Sequence, residues 1–584
     1  MLNCHVFSYN ERGLVEKETV FGSDNFSSYA LESEYDPGGR LVRKKMPNGF
    51  SESFFYNGKG ELAKHKKSNG ETSFFYDESG GLSQVHFVGV DGKERREKRQ
   101  YDLQGRLIEE EDSFQNKTMY AYDEFGHLVL KVLPSCLNEE GEEKEILQKS
   151  QFDVWDCKIL EEDPLGAQKR YVYNGRGQIV KIFYPDGGQE FFLYNLDGTL
   201  KSQTDQLGFE KRFFYDSFQR ELKKEGLALE GRLEWTEKYS YRGEHLVSSV
   251  DKEGREKLFF WDGAGRLEKE KAGDQEVSYA YDVFGRLLAK RVFNFENSYF
   301  ERFYFDLSGS LIETRAEDLD GRMLRVKKES RSWDFSFLEV DGRIEKTWFD
   351  SLGRPVRKEI PASGVAEFQY NENYRNFLGQ RVLQVKEKQN GIIVTKTFDA
   401  LHRLVQIEKE EPFYKKEYLF DAASRKRKKQ KRVFGLKEPL IETVFYDYDS
   451  MGRLVQKKLC RVFSEKLYQF TYDLKGRLIK TLRPDGAFLE QSYSSLGFLE
   501  TLKSSDGQIH YAYKYNLLGE LLEAEDVRHK QKSLFLRDSC GRVVQEELQN
   551  GLRVRFELDL LNRPTLLVLP DLSRVYLEWG ALAL

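Results

Sequence analysis

The sequence predicts an all-β repeat protein on the basis of three observations. One phrase, Tyr-Asp-x-x-Gly-Arg followed by an apolar pair, returns along the 584 residues, for example at Tyr101–Ile108, Tyr281–Leu288 and Tyr472–Ile479. Apolar and polar residues alternate with period two beside it, and turn formers such as Asp91-Gly92 separate the alternating runs. Together these features predict tandem β-hairpins that coil into one large hollow spiral shell, incomplete at both ends.

The strand that enters each phrase carries its aromatic residues on one face. Tyr511, Tyr513 and Tyr515 share one parity, and Ala512 and Lys514 occupy the other. Period two places such residues on one face of a sheet, whereas helical spacing would scatter them. The aromatic rows indicate packing of strand against strand, with stacking on sugar rings as the alternative. We expect the tyrosine hydroxyls to reach lumen water or a backbone partner.

The first turn of each unit follows the aromatic residue directly. Asn174–Gly177 follows Tyr173, and Asp262–Gly265 follows Trp261. An Asp or Asn beside a turn bonds nearby backbone N–H groups, and a Gly permits positive φ. A short apolar-polar run such as Arg477–Leu482 then forms the next strand.

A second turn closes each unit. It reads Pro185–Gly187 in one repeat, Pro484–Gly486 in another and Asn390-Gly391 in a third. Asn-Gly and Asp-Gly are strong hairpin signals because both residues tolerate positive φ. A second strand then returns to the next aromatic residue, so each unit is predicted to be strand, turn, strand, turn.

The units predict a single array over residues 1–584, with about two dozen repeats of roughly 21 residues. The register blurs near residues 314–348 and 361–396, where an insertion, a plug or a contact surface is expected. At about 4.8 Å per strand, two dozen hairpins form a strip of roughly 230 Å. An open sheet of that width accumulates twist, so the strip must coil on itself or close.

Composition narrows the classes of function. The chain has 92 Lys and Arg against 97 Asp and Glu, so no global field attracts nucleic acid or an acidic membrane. Neither a signal peptide nor an apolar run long enough for a membrane span is present. The five cysteines form no CxxC pair and are read as free thiols: Cys4, Cys136, Cys157, Cys460 and Cys540.

Candidate chemical sites are each better explained as repeat architecture. The basic run Arg425–Arg432 fits a nucleic-acid or nuclear-localisation pattern, but we favour the outer face and turn of one repeat. His127 and His402 fall in turns, and no zinc spacing occurs. No nucleophile or phosphate-loop motif stands out. We therefore predict no enzyme, no catalytic, cofactor-binding or metal-binding residues, and no cofactor.

On the repeated phrase and its interleaved Pro-Asp-Gly turn, the sequence resembles the Rhs or YD-repeat family. Tyr101–Leu107 and Tyr281–Leu287 carry the resemblance, and the other copies of the phrase extend it over nearly the whole chain. The family includes bacterial Rhs elements, shell components of insecticidal toxin complexes and the YD shell of teneurins. The resemblance implies a hollow β-shell. In bacterial members it holds a toxic C-terminal polypeptide apart from the cytoplasm, and in teneurins it serves cell adhesion.

Two departures from the family pattern shape the prediction. Bacterial members often end in a core segment with a DPxGL-type motif where self-cleavage frees the toxin, whereas Pro570–Gly580 follows a repeat turn without one. The DPLG at Asp163–Gly166 occupies a second-turn slot and is predicted to be a plain turn, so self-cleavage is not expected. Phe7 and Tyr9 already lie inside a repeat. We expect one portion of a larger shell, completed by a partner polypeptide.

The sequence thus predicts a non-catalytic wall that encloses a toxin or effector polypeptide for delivery. Its expected partner is the enclosed polypeptide or a chain that completes the shell, and nucleic acid is not an expected partner. The alternative function is a secreted or surface adhesin that binds carbohydrate through its aromatic rows. The expected location is secreted or cell-surface by a specialised route, or cytoplasmic before export.

Overall fold

The structure, a computed structural model, consists of one antiparallel ribbon. It describes residues 4–21, 28–137, 142–293, 298–306, 309–318, 321, 323–361, 363–411, 413–434, 440–538, 541–559 and 563–577. These residues form 51 β-strands and one 3-10 turn at Leu229–Gly231. Each strand pairs with the next one along the chain, in a single sheet. The all-β prediction of tandem hairpins is confirmed.

The first half of the ribbon has short strands of five to ten residues. They are β1 Cys4–Tyr9, β2 Val15–Phe21, β3 Ser28–Tyr35, β4 Leu41–Lys45, β5 Ser51–Tyr56, β6 Leu62–Lys67, β7 Gly70–Tyr76, β8 Leu82–Gly89, β9 Glu94–Tyr101, β10 Leu107–Glu111, β11 Lys117–Tyr122, β12 Leu128–Leu137, β13 Glu143–Phe152, β14 Lys158–Glu162, β15 Gln168–Tyr173, β16 Ile179–Phe183, β17 Gln189–Tyr194, β18 Leu200–Thr204, β19 Glu210–Tyr215, β20 Glu221–Leu227, β21 Leu233–Arg242, β22 His245–Val250, β23 Glu256–Trp261, β24 Leu267–Ala272, β25 Gln275–Tyr281 and β26 Leu287–Phe293.

The second half continues in the same pattern. Its strands are β27 Ser298–Phe305, β28 Leu311–Asp318, β29 Met323–Arg331, β30 Phe335–Val340, β31 Arg343–Phe349, β32 Pro355–Ile360, β33 Gly364–Arg375, β34 Arg381–Gln389, β35 Ile392–Phe398, β36 Leu404–Lys409, β37 Tyr414–Phe420, β38 Lys426–Val433, β39 Leu440–Tyr448, β40 Leu454–Arg461, β41 Ser464–Tyr472, β42 Leu478–Leu482, β43 Phe488–Tyr493, β44 Leu499–Ser504, β45 His510–Tyr515, β46 Leu521–Asp526, β47 Gln531–Arg537, β48 Val543–Glu547, β49 Arg553–Leu558, β50 Pro564–Val568 and β51 Arg574–Tyr576.

The hairpin turns alternate between the two long edges of the ribbon. Turns after odd-numbered strands lie on one edge, which we call the first-turn edge. The Asp102 turn is typical, because the Asp102 N–H donates to the Arg106 carbonyl at 2.9 Å and Gly105 adopts φ +78°. The pairing register slips next to the aromatic residue that precedes the turn, so Leu107 pairs with Tyr101. Turns after even-numbered strands lie on the opposite edge, the second-turn edge.

The two stretches of blurred register form ordinary strands of the ribbon. In the first, the first turn near Ser332 lacks the Tyr-Asp phrase, and the second turn follows at Asp341. In the second, β33 is twelve residues long and has a register shift between Asn371 and Tyr374. The aromatic residue and the turn residue Asn376 are therefore separated, which hides the repeat in the sequence. Among the described residues of these stretches there is no plug.

The ribbon coils on itself with a constant period. Side-chain and backbone hydrogen bonds join residues 245 to 282 positions apart, as between Gln380 and Ser135 or Asn69 and Ser351. The turn after β8 meets the turn after β31, and the turn after β22 meets the turn after β45. Each coil therefore contains 23 strands. At about 4.8 Å per strand, its circumference is roughly 110 Å and its diameter roughly 35 Å.

The coiled sheet is a wall rather than a solid body. Its accessible surface is 34380 Å², whereas a compact protein of this length would expose about 21,000 Å². Large apolar side chains such as Phe191 and Leu193 stay exposed on one face of β17, and Phe192 and Tyr194 are half-buried on the other. A sheet that solvent reaches on both faces leaves the inside of a 23-strand coil unfilled. The hollow spiral prediction is thus confirmed.

Candidate functional site: the seam of the wall

A clamp of three side chains recurs along the first-turn edge. In one copy, Asp102 Oδ1 accepts the N–H groups of Gln104 and Arg106, and Arg106 Nε donates to Asp102 Oδ2 at 2.7 Å. The Arg106 guanidinium lies 4.9 Å from the ring centre of Tyr122 in the next repeat and donates to the Asp123 carbonyl. The clamp therefore joins neighbouring hairpins by charge-assisted hydrogen bonds and a cation–π contact.

The tyrosine of each phrase closes the same clamp. The Tyr122 hydroxyl donates to the Leu107 carbonyl at 2.9 Å, and Tyr472 donates to Leu454 at 2.8 Å. Of the two expected partners for this hydroxyl, the structure thus supplies the backbone carbonyl. At the degenerate copy near Arg537, the guanidinium donates to the Leu521 carbonyl in place of a hydroxyl. These contacts assign the tyrosine of each phrase to packing of the wall rather than to stacking on a sugar ring.

The seam is the line along which the second-turn edge of one coil meets the first-turn edge of the next. Its most buried group is the Asp350 carboxylate, whose side chain is 1% exposed. Lys93 Nζ donates to Asp350 Oδ2 at 2.7 Å from the other coil, and Arg354 donates to the same oxygen from within its own turn. The buried charge is therefore paired from both sides.

Ser351 lies beside Asp350 and is equally enclosed. Its hydroxyl and N–H donate to the Asp91 carboxylate, and its carbonyl accepts from Asn69 Nδ2 at 3.2 Å. A Cβ atom on Gly89 would lie 1.8 Å from Ser351 Oγ. Close approach of the two coils at this point therefore requires a glycine.

Other seam contacts repeat the scheme around the coil. Most are polar, and each joins a second turn to a first turn. They are Arg255 with Glu520 at 2.8 Å, Glu253 with the Leu517 N–H at 2.5 Å, Arg453 with Asp186 at 3.2 Å, Lys475 with Asp205, and Asn116 with the Arg381 carbonyl at 3.1 Å. Apolar contacts fill the gaps, since Ala422 and Leu401 pack against Cys136 and Ile146.

The seam shifts the pKa of its carboxyl groups downward. For Asp350, burial alone would raise the pKa, but the Lys93 ammonium and the Arg354 N–H and guanidinium outweigh it and hold the pKa below its ordinary value. The Arg255 guanidinium likewise lowers the pKa of Glu520. Asp91 has a lowered pKa because its hydrogen bonds from Ser351 overcome burial. All three groups are thus held as carboxylates at neutral pH.

Residues that the sequence singled out lie in the wall. Arg425 sits in a first turn, whereas Lys426–Val433 form β38, which is half-buried throughout and alternates between both faces rather than lying on one. Lys426 lies 4.5 Å from the Tyr418 ring. Asp163–Gly166 is a plain second turn, as predicted, with Asp163 Oδ1 accepting two backbone N–H groups.

His402 and the cysteines also have structural positions. His402 lies in a first turn and meets the Phe114 ring across the seam, at 5.4 Å between ring centres. Cys136, Cys157 and Cys460 are free thiols, whereas Cys540 and the side chain of Cys4 lie outside what the structure describes. Within the described ranges, no group of three His, Cys, Asp or Glu is placed to hold a metal ion, and no helix is long and apolar enough to cross a membrane.

Comparison with known proteins identifies this architecture. Residues 61–225 match the teneurin YD-shell family model, and the sequence matches no curated protein. The crystal structure of TcdB2-TccC3-TEV has the same fold at a TM-score of 0.53 and 12% identity, over 98% of this chain and 35% of its own. The structure of TcdB2-TccC3 without its hypervariable C-terminal region aligns at a TM-score of 0.49 and 12% identity, over 96% of this chain and 35% of its own.

The chain thus spans about a third of the length of the solved structures that it matches. The residues of the family match include the clamp of Asp102, Arg106 and Tyr122. Seam residues beyond residue 225, such as Asp350, lie outside the family match. For that part of the chain, only the similarity of fold to the solved structure applies. The predicted resemblance to the Rhs or YD-repeat family is therefore confirmed, by sequence over residues 61–225 and by a shell fold over nearly the whole chain.

Proposed function

We propose that this chain is a non-catalytic wall that encloses a toxin or effector polypeptide. The observation that carries the proposal is the seam, because it turns a ribbon of hairpins into a wall that is continuous around the coil. A coil roughly 35 Å across is wide enough to surround an extended or loosely folded chain. The wall acts sterically, since it separates the enclosed polypeptide from proteins outside.

The roles of the charged and aromatic side chains support the proposal. Its recurring Asp, Arg and Tyr residues hold hairpins together, and its buried carboxylate Asp350 is fully paired across the seam. A residue that is required in every repeat serves the architecture. A structural role rather than a catalytic one fits this distribution, and it agrees with the shell proteins whose fold the chain shares. The proposed location is secreted or cell-surface by a specialised route, or cytoplasmic before export.

Protease protection tests the proposal. A polypeptide encoded beside this chain would be co-expressed with it, purified as a complex and treated with a protease of broad specificity. We expect the polypeptide to survive in the complex and to be digested alone. The matched control is a complex with Lys93→Ala and Arg255→Ala, which removes two seam contacts and is expected to loosen the seam but leaves both wall faces intact. Equal digestion of the polypeptide with and without the wall would contradict enclosure.

A further inference from the structure

Strands β37–β41 gather cations on one face of the wall. Residues that lie opposite each other on neighbouring strands share a face, and so does every second residue along a strand. Lys416 lies opposite Lys431, and Lys429 is two residues from Lys431 on the same face of β38. Lys426 joins them, since its ammonium lies over the ring of Tyr418 on that face. We call this surface the lysine patch, and its lysines are Lys416, Lys426, Lys429, Lys431, Lys457 and Lys466.

The lysine patch lacks the ion pairs that balance lysines elsewhere in the wall. Lys149, for example, lies 2.9 Å from Glu162 on the neighbouring strand. The acidic residue that shares the face of the patch is Glu442, and it is paired with Arg461 at 2.9 Å. Within the described residues, no carboxylate comes within 4.0 Å of Lys416, Lys429, Lys431, Lys457 or Lys466.

The ammonium groups of the patch repel one another. Lys416 and Lys431 are direct cross-strand partners, a position in which like charges destabilise a sheet. Burial and the Lys429 ammonium lower the pKa of Lys426. All of β38 is half-buried, so water screens these charges only in part. Folding therefore concentrates positive charge here without compensating it, which favours an anionic partner from outside the patch.

The tyrosines of the patch favour one kind of polyanion. Single-stranded nucleic acid binds proteins by stacking its bases on open aromatic rings. A base would have to displace ammonium groups before it could stack here, whereas a carboxylate needs only the ammonium hydrogens. The covered rings lie 5.0 Å from the ammonium for Lys416 over Tyr414, 4.5 Å for Lys426 over Tyr418 and 5.9 Å for Lys457 over Tyr468.

We propose that the lysine patch binds an extended, acidic segment of a polypeptide. Lys429 and Lys431 are two residues apart on a strand, or roughly 7 Å, and alternate side chains of an extended peptide repeat at the same distance. A segment with an acidic residue at every second position would therefore place successive carboxylates beside successive lysines. The proposal assigns a binding surface to the wall itself and holds whether or not the bound polypeptide is enclosed.

Fluorescence anisotropy with short labelled probes tests the proposal. The probes are a peptide of alternating Glu and Ser, the matching peptide of Gln and Ser, and an oligothymidylate with the same number of negative charges as the Glu peptide. We expect the Glu peptide to bind the full chain, more weakly as salt rises, and the Gln peptide not to bind. No binding of the Glu peptide at low salt would overturn the proposal. Tighter binding of the oligothymidylate than of the Glu peptide would also overturn it, in favour of nucleic acid.

A charge-matched pair of variants locates the binding surface. The patch variant combines Lys416→Gln, Lys429→Gln and Lys431→Gln, and we expect it to weaken binding of the Glu peptide about tenfold. The control combines Lys98→Gln, Lys149→Gln and Lys257→Gln, whose lysines are paired with Glu111, Glu162 and Glu270. Both variants lose three positive charges, so a difference between them does not come from net charge. Equal weakening by the two variants would show that the patch is not the site.

Circular dichroism of both variants verifies that the fold is retained. The patch variant relieves the opposition of Lys416 and Lys431, so its stability is expected not to fall. Should it nevertheless lose its β-sheet spectrum, Lys431→Gln alone is compared with Lys149→Gln. Weaker binding of the Glu peptide by Lys431→Gln than by Lys149→Gln is then the expected result, and equal binding by the two would overturn the proposal.

Discussion

Lys93 and Asp350 are 257 positions apart in the sequence, and the Lys93 ammonium donates a 2.7 Å hydrogen bond to the Asp350 carboxylate. The contact joins a second turn of one coil to a first turn of the next. It shows that the outline of the wall is decided by pairs of turns about 23 strands apart, each too distant in sequence to be recognised from the repeat.

Removal of the Lys93 ammonium should loosen the seam. In Lys93→Ala, the Asp350 carboxylate stays buried and keeps its donors from Arg354 and the Leu352 N–H but loses the ammonium, so we expect the free energy of unfolding to fall by about 1–3 kcal/mol. Urea unfolding measures the loss. The matched control is Lys17→Ala, since Lys17 and Glu32 are 3.9 Å apart and both about half exposed, and its effect should stay within about 0.5 kcal/mol. Equal effects for both variants would contradict a buried seam.

A side chain at Gly89 should force the coils apart. The Cβ of Gly89→Ala would collide with Ser351 Oγ, so we expect a loss of about 1–3 kcal/mol and faster proteolysis of the Ser351 turn. Gly58→Ala is the control, because nothing lies within 4 Å of its added Cβ. Ser351→Gly in the same chain removes the clashing atoms and should restore part of the loss. A strictly additive double variant would show that the two residues are not in contact.

The hydroxyl of the repeat tyrosine should contribute to stability. In Tyr472→Phe, the Leu454 carbonyl loses its 2.8 Å donor, while the aromatic ring and its contact with Arg453 remain. We expect unfolding to become easier by about 1 kcal/mol. Tyr511→Phe, on an exposed ring of β45, serves as the control and should change little. An unchanged midpoint for Tyr472→Phe would mean that the ring alone explains the choice of tyrosine.

Acid should open the seam. The pKa values of Asp350, Asp91 and Glu520 are lowered in the folded chain. Their contribution to stability is therefore complete above the ordinary carboxyl pKa of about 4 and is lost as the pH falls through the lowered values. Proteolysis of the seam turns at decreasing pH measures this loss. The acid sensitivity should be smaller in Lys93→Ala, and an unaltered profile in that variant would exclude Asp350 as its source.

His127 should give one first turn the opposite pH dependence. It replaces the clamp arginine, and hydrogen bonds to Asp123, and then to Asp156, raise its pKa despite burial. Its contribution is thus complete below about pH 6.5 and is lost as the pH rises through the raised pKa. The protection factors of residues 123–127 in hydrogen exchange, which allow for the intrinsic rise of exchange with pH, should fall over that range. His127→Arg keeps its charge and should abolish the change, and a persistent change would assign it to another group.

Much of the local structure of the wall could be predicted from the sequence. The parity of Tyr511, Tyr513 and Tyr515 predicted a two-faced strand, and the Asp-Gly and Asn-Gly pairs predicted the hairpin turns. The DPLG at Asp163 was predicted to be a turn and is one. These features are local, since strand alternation and turn chemistry depend on residues within one hairpin. The same locality explains why Tyr370 was missed, because the shift within β33 moves it away from its turn at Asn376.

The seam depends on how the whole ribbon coils. Nothing in the sequence around Gly89 or Ser351 indicates that they meet, because the number of strands in a coil follows from twist accumulated over every hairpin between them. Local residue patterns specify a two-faced ribbon of hairpins with a clamp at many of its first turns. The coil of 23 strands and the pairing of Lys93 with Asp350 arise when that ribbon returns to its own edge.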